Sequence, residues 1–283
     1  MKRIFTLLLM LCIHLGAYAS SHDLRIASYN IKGLPFPIQI NHTARYKAIV
    51  HEIRAMENQG QGPDVILVQE AFSVMTRYVH KHLKDIYPYK ARGPGNRIKW
   101  NSGLEILSKY PITRATITTF GSCDSFDCLA RKGVLFTRIK LPGTVGEVDI
   151  YNTHMQANNG PRAPFAEKVR NDQTETMIQF INNTHEKNLP MFIGGDLNTK
   201  PQAANYARFM EEFGDIDTRR FCQTTNICDG FNLFGDSYWD SRIDHIFYSS
   251  GDLGVTPKDY ESFFKDTDYS DHAMFKGTYQ LGK

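Results

Sequence analysis

The chain predicts a layered α/β domain built on mixed sheets, and three observations carry that reading. Short apolar runs rich in Ile, Val, Phe and Tyr recur along almost the whole length. Segments of helical spacing lie between them in the early part of the chain. From Leu104 to Asn152 strands follow one another without helices, which breaks the alternation expected of a purely parallel sheet.

The runs predicted as buried strands are Leu24–Tyr29, Asp64–Val68, Leu104–Leu107, Val134–Ile139, Val148–Asn152, Met191–Ile193, Ile243–Tyr248 and Met274–Tyr279. Tyr46, Ile49, Val50, Ile53 and Met56 form one helical stripe, with Asn41 as a capping residue ahead of it. Val169, Met177, Phe180 and Ile181 form a second. No Pro-, Gly- or Ser-rich linker divides the chain and no repeat is visible, so one domain is expected over residues 20–283.

The 283 residues are 41% hydrophobic and 22% charged, a balance that argues against disorder and coiled coil. Residues 1–19 have the parts of a secretory signal: Lys2 and Arg3, the apolar run Ile4–Ile13, and Ala17-Tyr18-Ala19 before the expected cleavage. That run is too short to cross a bilayer, which needs about 20 apolar residues. A soluble mature protein, secreted or periplasmic, is therefore expected. Removing Lys2 and Arg3 with the leader lowers the formal charge from +3 to +1, which by itself does not argue for nucleic acid.

Four cysteines remain after the leader, in two close pairs within apparent loops: Cys123 with Cys128, and Cys222 with Cys228. Two local disulfides agree with export. A zinc site is the alternative, although neither spacing is the tight C-x2-C knuckle.

Polar side chains stand repeatedly at the ends of the predicted strands: Asn30, Glu70, His154, Asp196, Asn198, Asp244, Asp271 and His272. Strand ends are where a sheet presents side chains to a shared crevice. Any one of these has an ordinary reading as a turn, cap or solvated residue, but eight in step are harder to dismiss. Three Asp, one Glu and two Asn offer hard oxygen ligands suited to Mg²⁺, with Mn²⁺ or Co²⁺ in substitution. A cation so held keeps open positions for a phosphate oxygen, and two histidines add a proton acceptor and a donor to the developing charge. The set points to metal-assisted hydrolysis of a phosphate ester.

These segments resemble, in order, the motifs of the endonuclease/exonuclease/phosphatase superfamily. They are Ser28-Tyr29-Asn30-Ile31-Lys32-Gly33, Gln69-Glu70, Asn101-Ser102-Gly103-Leu104 through Ser108-Lys109-Tyr110-Pro111-Ile112, Thr153-His154, Gly195-Asp196-Leu197-Asn198, Arg242-Ile243-Asp244-His245-Ile246 and Ser270-Asp271-His272. The resemblance implies a DNase I-like four-layer α/β/β/α sandwich, two central mixed sheets flanked by helices. It implies Glu70 as principal metal ligand supported by Asn30, with Asp196 and Asn198 positioning water, phosphate or a second ion. His272 would be the general base oriented by Asp244, His154 would stabilise the transition state, and Asp271 would tune the site or share in metal binding.

Within the superfamily the chain is similar to the secreted neutral sphingomyelinases, through Thr153-His154-Met155-Gln156-Ala157 and through Lys132-Gly133-Val134 after a cysteine pair. That likeness implies hydrolysis of sphingomyelin to ceramide and phosphocholine at a phospholipid membrane surface, by a monomer with no protein partner. It also suggests Phe263 and Phe264 as an exposed aromatic pair entering the bilayer surface, although the interval from this pair to Asp271-His272 is shorter than in those proteins. The alternative is a strand with at least one ring in the core. A second aromatic cluster, Phe231, Phe234, Tyr238 and Trp239, is either another membrane contact or packing beneath the Cys222–Cys228 loop.

Two other classes stay open. Lys90, Arg92, Arg97 and Lys99 would follow a DNA backbone in a secreted DNase I-like endonuclease, and would equally meet anionic lipid. A binding protein on an inactive scaffold should have lost one of Glu70, His154, Asp196, Asp244 or His272, and all are present. Glu105 is acidic where the family usually carries a small or apolar residue.

Overall fold

The computed structural model describes residues 22–93, 100–143, 145–158, 162–214, 216–225, 242–265 and 267–282. Residues 1–19, Cys228, Arg97, Lys99 and the cluster Phe231, Phe234, Tyr238 and Trp239 lie outside the described residues.

Two mixed sheets form the centre. The first has six strands in the order β10-β11-β1-β2-β4-β3, built from β1 (His22–Asn30), β2 (Val65–Gln69), β3 (Tyr89–Arg92), β4 (Glu105–Ser108), β10 (Val255–Phe263) and β11 (Met274–Leu281). The second has five in the order β5-β6-β7-β8-β9, built from β5 (Ile112–Thr119), β6 (Gly133–Lys140), β7 (Glu147–His154), β8 (Met191–Asp196) and β9 (Asp244–Ser249). β1 runs parallel to β2, and β7 to β8; their neighbours pair antiparallel. Each parallel pair is joined through a helix, as a parallel crossover requires: α1 (His42–Asn58) follows β1 and α3 (Ala163–Thr184) follows β7.

The period-two alternation of the strands sets the layers. Leu24, Ile26, Val65 and Leu67 face inward against Leu135, Ile150, Phe192 and Ile246 of the other sheet. Ala27, Tyr29, Ile66 and Val68 face the opposite way onto Tyr46, Ile49, Val50 and Ile53 of α1, joined by Val79 and Leu83 of α2 (Arg77–Leu83). The outer face of the second sheet, with Val134, Phe136, Tyr151 and Ile193, packs on Met177, Ile178 and Ile181 of α3 and on Phe209 of α4 (Ala204–Phe213). The result is the four-layer α/β/β/α sandwich, and the eight predicted strands all occur.

The sequence reading missed β3, β5, β10, α2, α4 and α5 (Thr218–Thr225). β5 has no buried residue and lies at a sheet edge, so it lacks the apolar run that marks a buried strand. Asn41 does precede α1, but it sits in the left-handed region at φ 63° and makes no side-chain cap bond. Cys123 and Cys128 are bridged, with Cα atoms 5.2 Å apart. Cys222 is buried on α5.

Candidate active site

Topology explains why distant residues meet. β1, β2, β7 and β8 all end at one edge of the sandwich, which places Asn30, Glu70, His154 and Asp196 there. β9 and β11 run the other way, so their starting ends deliver Asp244 and the preceding His272 to the same edge. Cross-strand register sets His154 beside Asp196, and Asp196 beside Asp244.

Two glycines make the approach possible. A Cβ on Gly195, at φ 141°, would lie 2.0 Å from the Thr153 carbonyl oxygen, and one on Gly33 would lie 2.3 Å from that of Glu70. Lys32, Glu70 and Asn198 adopt φ of 49°, 57° and 50°. Such non-glycine left-handed residues persist where the surroundings over-determine them. Here Glu70 is followed by a stapled turn: Ala71 N–H donates to Gly103 O, and Ser73 N–H to Gly33 O.

The polar centre is compact. Asn30 Nδ2 donates to Glu70 Oε1 and to Asp196 Oδ2, each at 3.1 Å. Asp196 Oδ2 lies 3.6 Å from His154 Nε2 and 3.7 Å from His272 Nε2. His272 Nδ1 meets Asp244 Oδ2 at 2.7 Å. The ligand atoms of Asp196, Asp244 and His272 all fall within 4.8 Å of one another. Asn198 adjoins this group through its backbone N–H, which donates to Asp196 Oδ1 at 2.9 Å, while its side chain holds Met155 O. Asp271 lies at the rim, half-exposed and paired with Lys32 at 3.0 Å.

Burial dominates the electrostatics. It pushes the Glu70 carboxyl upward, against the opposing pull of Asn30 and Lys132. Burial, followed by the neighbouring Asp244 charge, raises Asp196 as well. Burial alone would depress His272, but the Asp244 and Asp196 carboxylates outweigh it and bring it to about 10. For His272 to accept a proton near neutrality, the charge of those carboxylates must be offset. His154 is held well below its ordinary value by burial and then by Lys132 and His272, so its imidazole is neutral. Lys132 Nζ lies 3.0 Å from His154 Nε2, so an ammonium donating there leaves the ring proton on Nδ1, a buried nitrogen without a partner.

The residues fit a hard divalent cation. Oε2 of Glu70 and Oδ1 of Asp244 are buried without hydrogen-bond partners, an arrangement that is costly unless a cation compensates it. The donors are oxygens and imidazole, with no thiol among them. The Asn30 amide bridges Glu70 and Asp196 through its nitrogen, since Oδ1 accepts from the Lys32 N–H. Ligation by Asn30 requires the amide to turn over.

The aromatic pair differs from the exposed tip implied by resemblance. Phe263 ends β10 and Phe264 follows it, and both are half-buried against the α1 side of the first sheet. The Phe264 ring packs on Tyr29 and Tyr269, with centroids 5.6 and 6.0 Å away, and Lys276 Nζ lies 5.1 Å from the Phe263 ring centre. The short interval before Asp271 leaves no room for a long hairpin.

Nor are Lys90 and Arg92, the two described members of the cationic run, free. Arg92 Nε lies 3.1 Å and Lys90 Nζ 3.9 Å from Oε1 of the buried Glu105. Arg92 also donates to Ala71 O at 3.0 Å. Glu105 thus anchors the arginine that steadies the turn after Glu70.

Three features escaped the sequence reading as site components. Lys132 is buried and also holds Met155 O at 3.0 Å and Asp127 at 2.9 Å; its signal is the Lys132-Gly133-Val134 motif after the cysteine pair. Arg45, buried on α1, donates to the carbonyls of Ile31, Lys32 and Tyr269, tying the end of β1 to the loop carrying His272. Behind Asp244, Arg242 pairs with the buried Asp217 and donates to His245 Nδ1 at 3.2 Å, while His245 Nε2 donates to Thr199 O at 2.7 Å. Burial and then Arg242 depress His245 to about 3, so that imidazole is neutral and structural.

Beside Glu70, Lys132 and His154 opens a cavity of about 410 Å³ whose walls include Leu34, Phe72 and Trp100. A neighbouring depression of about 640 Å³ is lined by Phe36, Ile40, Lys47 and Met75.

Residues 27–272 match the endonuclease/exonuclease/phosphatase family. A phospholipase C of Staphylococcus aureus is 25% identical over 267 residues, covering 87% of this chain and 74% of its own. A sphingomyelinase C of Bacillus cereus is 27% identical over 203 residues, 63% of this chain and 57% of that protein. The crystal structure of a beta toxin mutant from Staphylococcus aureus with bound magnesium ions superposes with a TM-score of 0.68 at 19% identity, over 93% of this chain and all of that one. With most of its length matched and the strand-end residues gathered at one edge, the chain belongs to the endonuclease/exonuclease/phosphatase family.

Proposed function

We propose that the protein is an exported, Mg²⁺-dependent phosphodiesterase that hydrolyses sphingomyelin to ceramide and phosphocholine. One observation carries this reading: Glu70, Asp196, Asp244 and His272 converge at one edge, with Glu70 Oε2 and Asp244 Oδ1 buried and unpartnered. The named activities of the relatives and the magnesium in the beta toxin support it.

Glu70, Asp196 and, with its amide turned, Asn30 would hold the cation. When bound, Mg²⁺ offsets negative charge on the phosphate and on the departing oxygen. Asp244 fixes the His272 ring through Nδ1, which leaves Nε2 facing Asp196 and the reacting centre. From there Nε2 takes the proton of the attacking water as the new P–O bond forms and the bond to the ceramide oxygen breaks. His154, neutral and backed by Lys132 at Nε2, would be the donor to a phosphoryl oxygen once its ring presents an N–H to the substrate, since Nδ1 is buried here. Phe72 and Trp100, ring centroids 5.9 Å apart, line the adjacent cavity and suit a quaternary ammonium.

A DNase I-like endonuclease is the competing reading. The charge run that favoured it is partly committed, since Lys90 and Arg92 neutralise Glu105. Purified protein should release phosphocholine from sphingomyelin vesicles and stop when EDTA is added. Cleavage of plasmid DNA without phosphocholine release would assign the nuclease activity instead.

A further inference from the structure

We infer that the protein docks on a phospholipid surface through an apolar rim around the mouth of its site, made by the loop between β1 and α1, the turn at Val74 and the loop closed by Cys123–Cys128. The inference deepens the phosphodiesterase reading and rests on it for the choice of partner.

Three separate segments place large apolar side chains in solvent. Phe36, Ile38 and Ile40 project from the first loop, Val74 from the second, and Phe126 and Leu129 from the disulfide loop. Phe36 is 79% exposed and Phe126 82%. Isolated exposed apolar residues are ordinary, whereas a contiguous set marks an interaction surface. Four of the six share the two cavities at the mouth. Ile38 and Phe126 both line the cavity that holds Glu70 and His154, and Phe36 and Ile40 share the neighbouring depression with Met75. The rim therefore encloses the entrance through which a substrate must come.

Charge selects the partner. From residue 31 to residue 51 the chain has no Asp or Glu, and Lys47 stands exposed there beside Ile40. From residue 71 to residue 84 it again has none, and carries Arg77, Lys81 and Lys84. The two acids of the disulfide loop are neutralised in place: Asp124 by Arg162 at 2.9 Å and Asp127 by Lys132 at 2.9 Å. Asp271, at the same edge, is paired with Lys32. An apolar rim whose acids are paired, with Lys47, Arg77, Lys81 and Lys84 exposed beside it, complements lipid phosphates above an acyl layer. A partner that occluded the mouth, such as a second copy, would block the cavity. A bilayer instead presents its phosphodiesters at that depth.

Docking here would replace the half-buried Phe263 and Phe264 as the membrane contact. The disulfide and the Gln156 side chain fix the geometry of the third segment, since Gln156 Oε1 accepts from the Asp124 N–H at 2.8 Å.

The test is co-flotation with phosphatidylcholine–sphingomyelin vesicles in EDTA, which removes turnover from the readout. Phe36→Ser combined with Ile40→Ser and Leu129→Ser should weaken vesicle binding by about tenfold or more. Hydrolysis of a soluble chromogenic phosphodiester, assayed separately with Mg²⁺, should be unchanged. Phe36→Trp in the intact protein should gain fluorescence quenching by brominated lipid. No vesicle binding by the wild type, equal binding by the triple variant, or no added quenching would overturn the proposal. A dimer broken by the same substitutions, without vesicle binding, would assign the rim to a second copy. Vesicle binding lost in the variant while wild type releases no phosphocholine would leave the docking surface standing and remove the sphingomyelinase reading.

Discussion

Nζ of Lys132 stands 3.0 Å from Nε2 of His154, so a buried lysine backs a buried neutral imidazole beside Asp196. The lysine fixes the ring tautomer and lends it positive charge without a proton being lost from the ring. Lys132→Met should lower kcat by about 10²–10³-fold, the scale for removing a preorganised donor. Steady-state kinetics on sphingomyelin vesicles check this, and turnover near the wild-type value would remove Lys132 from the site.

His272→Ala should reduce kcat by about 10²–10⁴-fold, the usual worth of a general base. Circular dichroism should show the fold retained, while the melting temperature should fall, because the buried Asp244 carboxylate loses its partner. Asp244→Asn should fall in the same direction by disturbing that orientation. Substantial residual hydrolysis in His272→Ala would exclude it as base.

Glu70→Gln should make the metal-free protein no less stable, since it replaces a buried carboxylate that burial already disfavours. Mg²⁺ at a hundredfold excess over its Kd should stabilise the wild type by about 2.7 kcal/mol. That gain should vanish in the variant, as thermal melts with and without EDTA will show.

Phe263→Ser and Phe264→Ser should each cost about 1–3 kcal/mol of folding stability, because both rings pack on the α1 side of the first sheet. Losses of activity should be equal on vesicles and on a soluble phosphodiester. A selective loss on vesicles would return the pair to the membrane surface.

Asp149 offers a pH test away from the site. It is fully buried; burial opposes its charge, but His185 and Arg138 hold its carboxyl below the ordinary value. A depressed folded value stabilises the protein above the unfolded value near 4, and that contribution disappears as the pH falls through the folded value. Asp149→Asn should cost about 3 kcal/mol at pH 7. The gap to wild type should narrow below pH 4 in urea titrations.

Much of this was legible in the linear chain. Asn30, Glu70, His154, Asp196, Asp244 and His272 each follow or open a strand, and strand ends of a mixed sandwich share an edge. What escaped was whatever depends on a partner distant in sequence. Lys132 stands out in the chain only as part of the Lys132-Gly133-Val134 motif, and its contact with His154 comes from the fold; the acidic Glu105 is explained by Arg92 across the strand pair. The edge strand β5 lacked an apolar signature because one side of it faces water. Phe263 and Phe264 resemble an aromatic pair on longer hairpins, whereas here both rings are half-buried against the α1 side of the first sheet, a packing that depends on Tyr29 far away in sequence.

The reactive groups are contributed by both sheets: Asn30 and Glu70 from one, His154, Asp196 and Asp244 from the other. Neither half alone contains a working centre. Catalytic turnover therefore reports whether the two β-layers, which share one apolar interior, are docked in register.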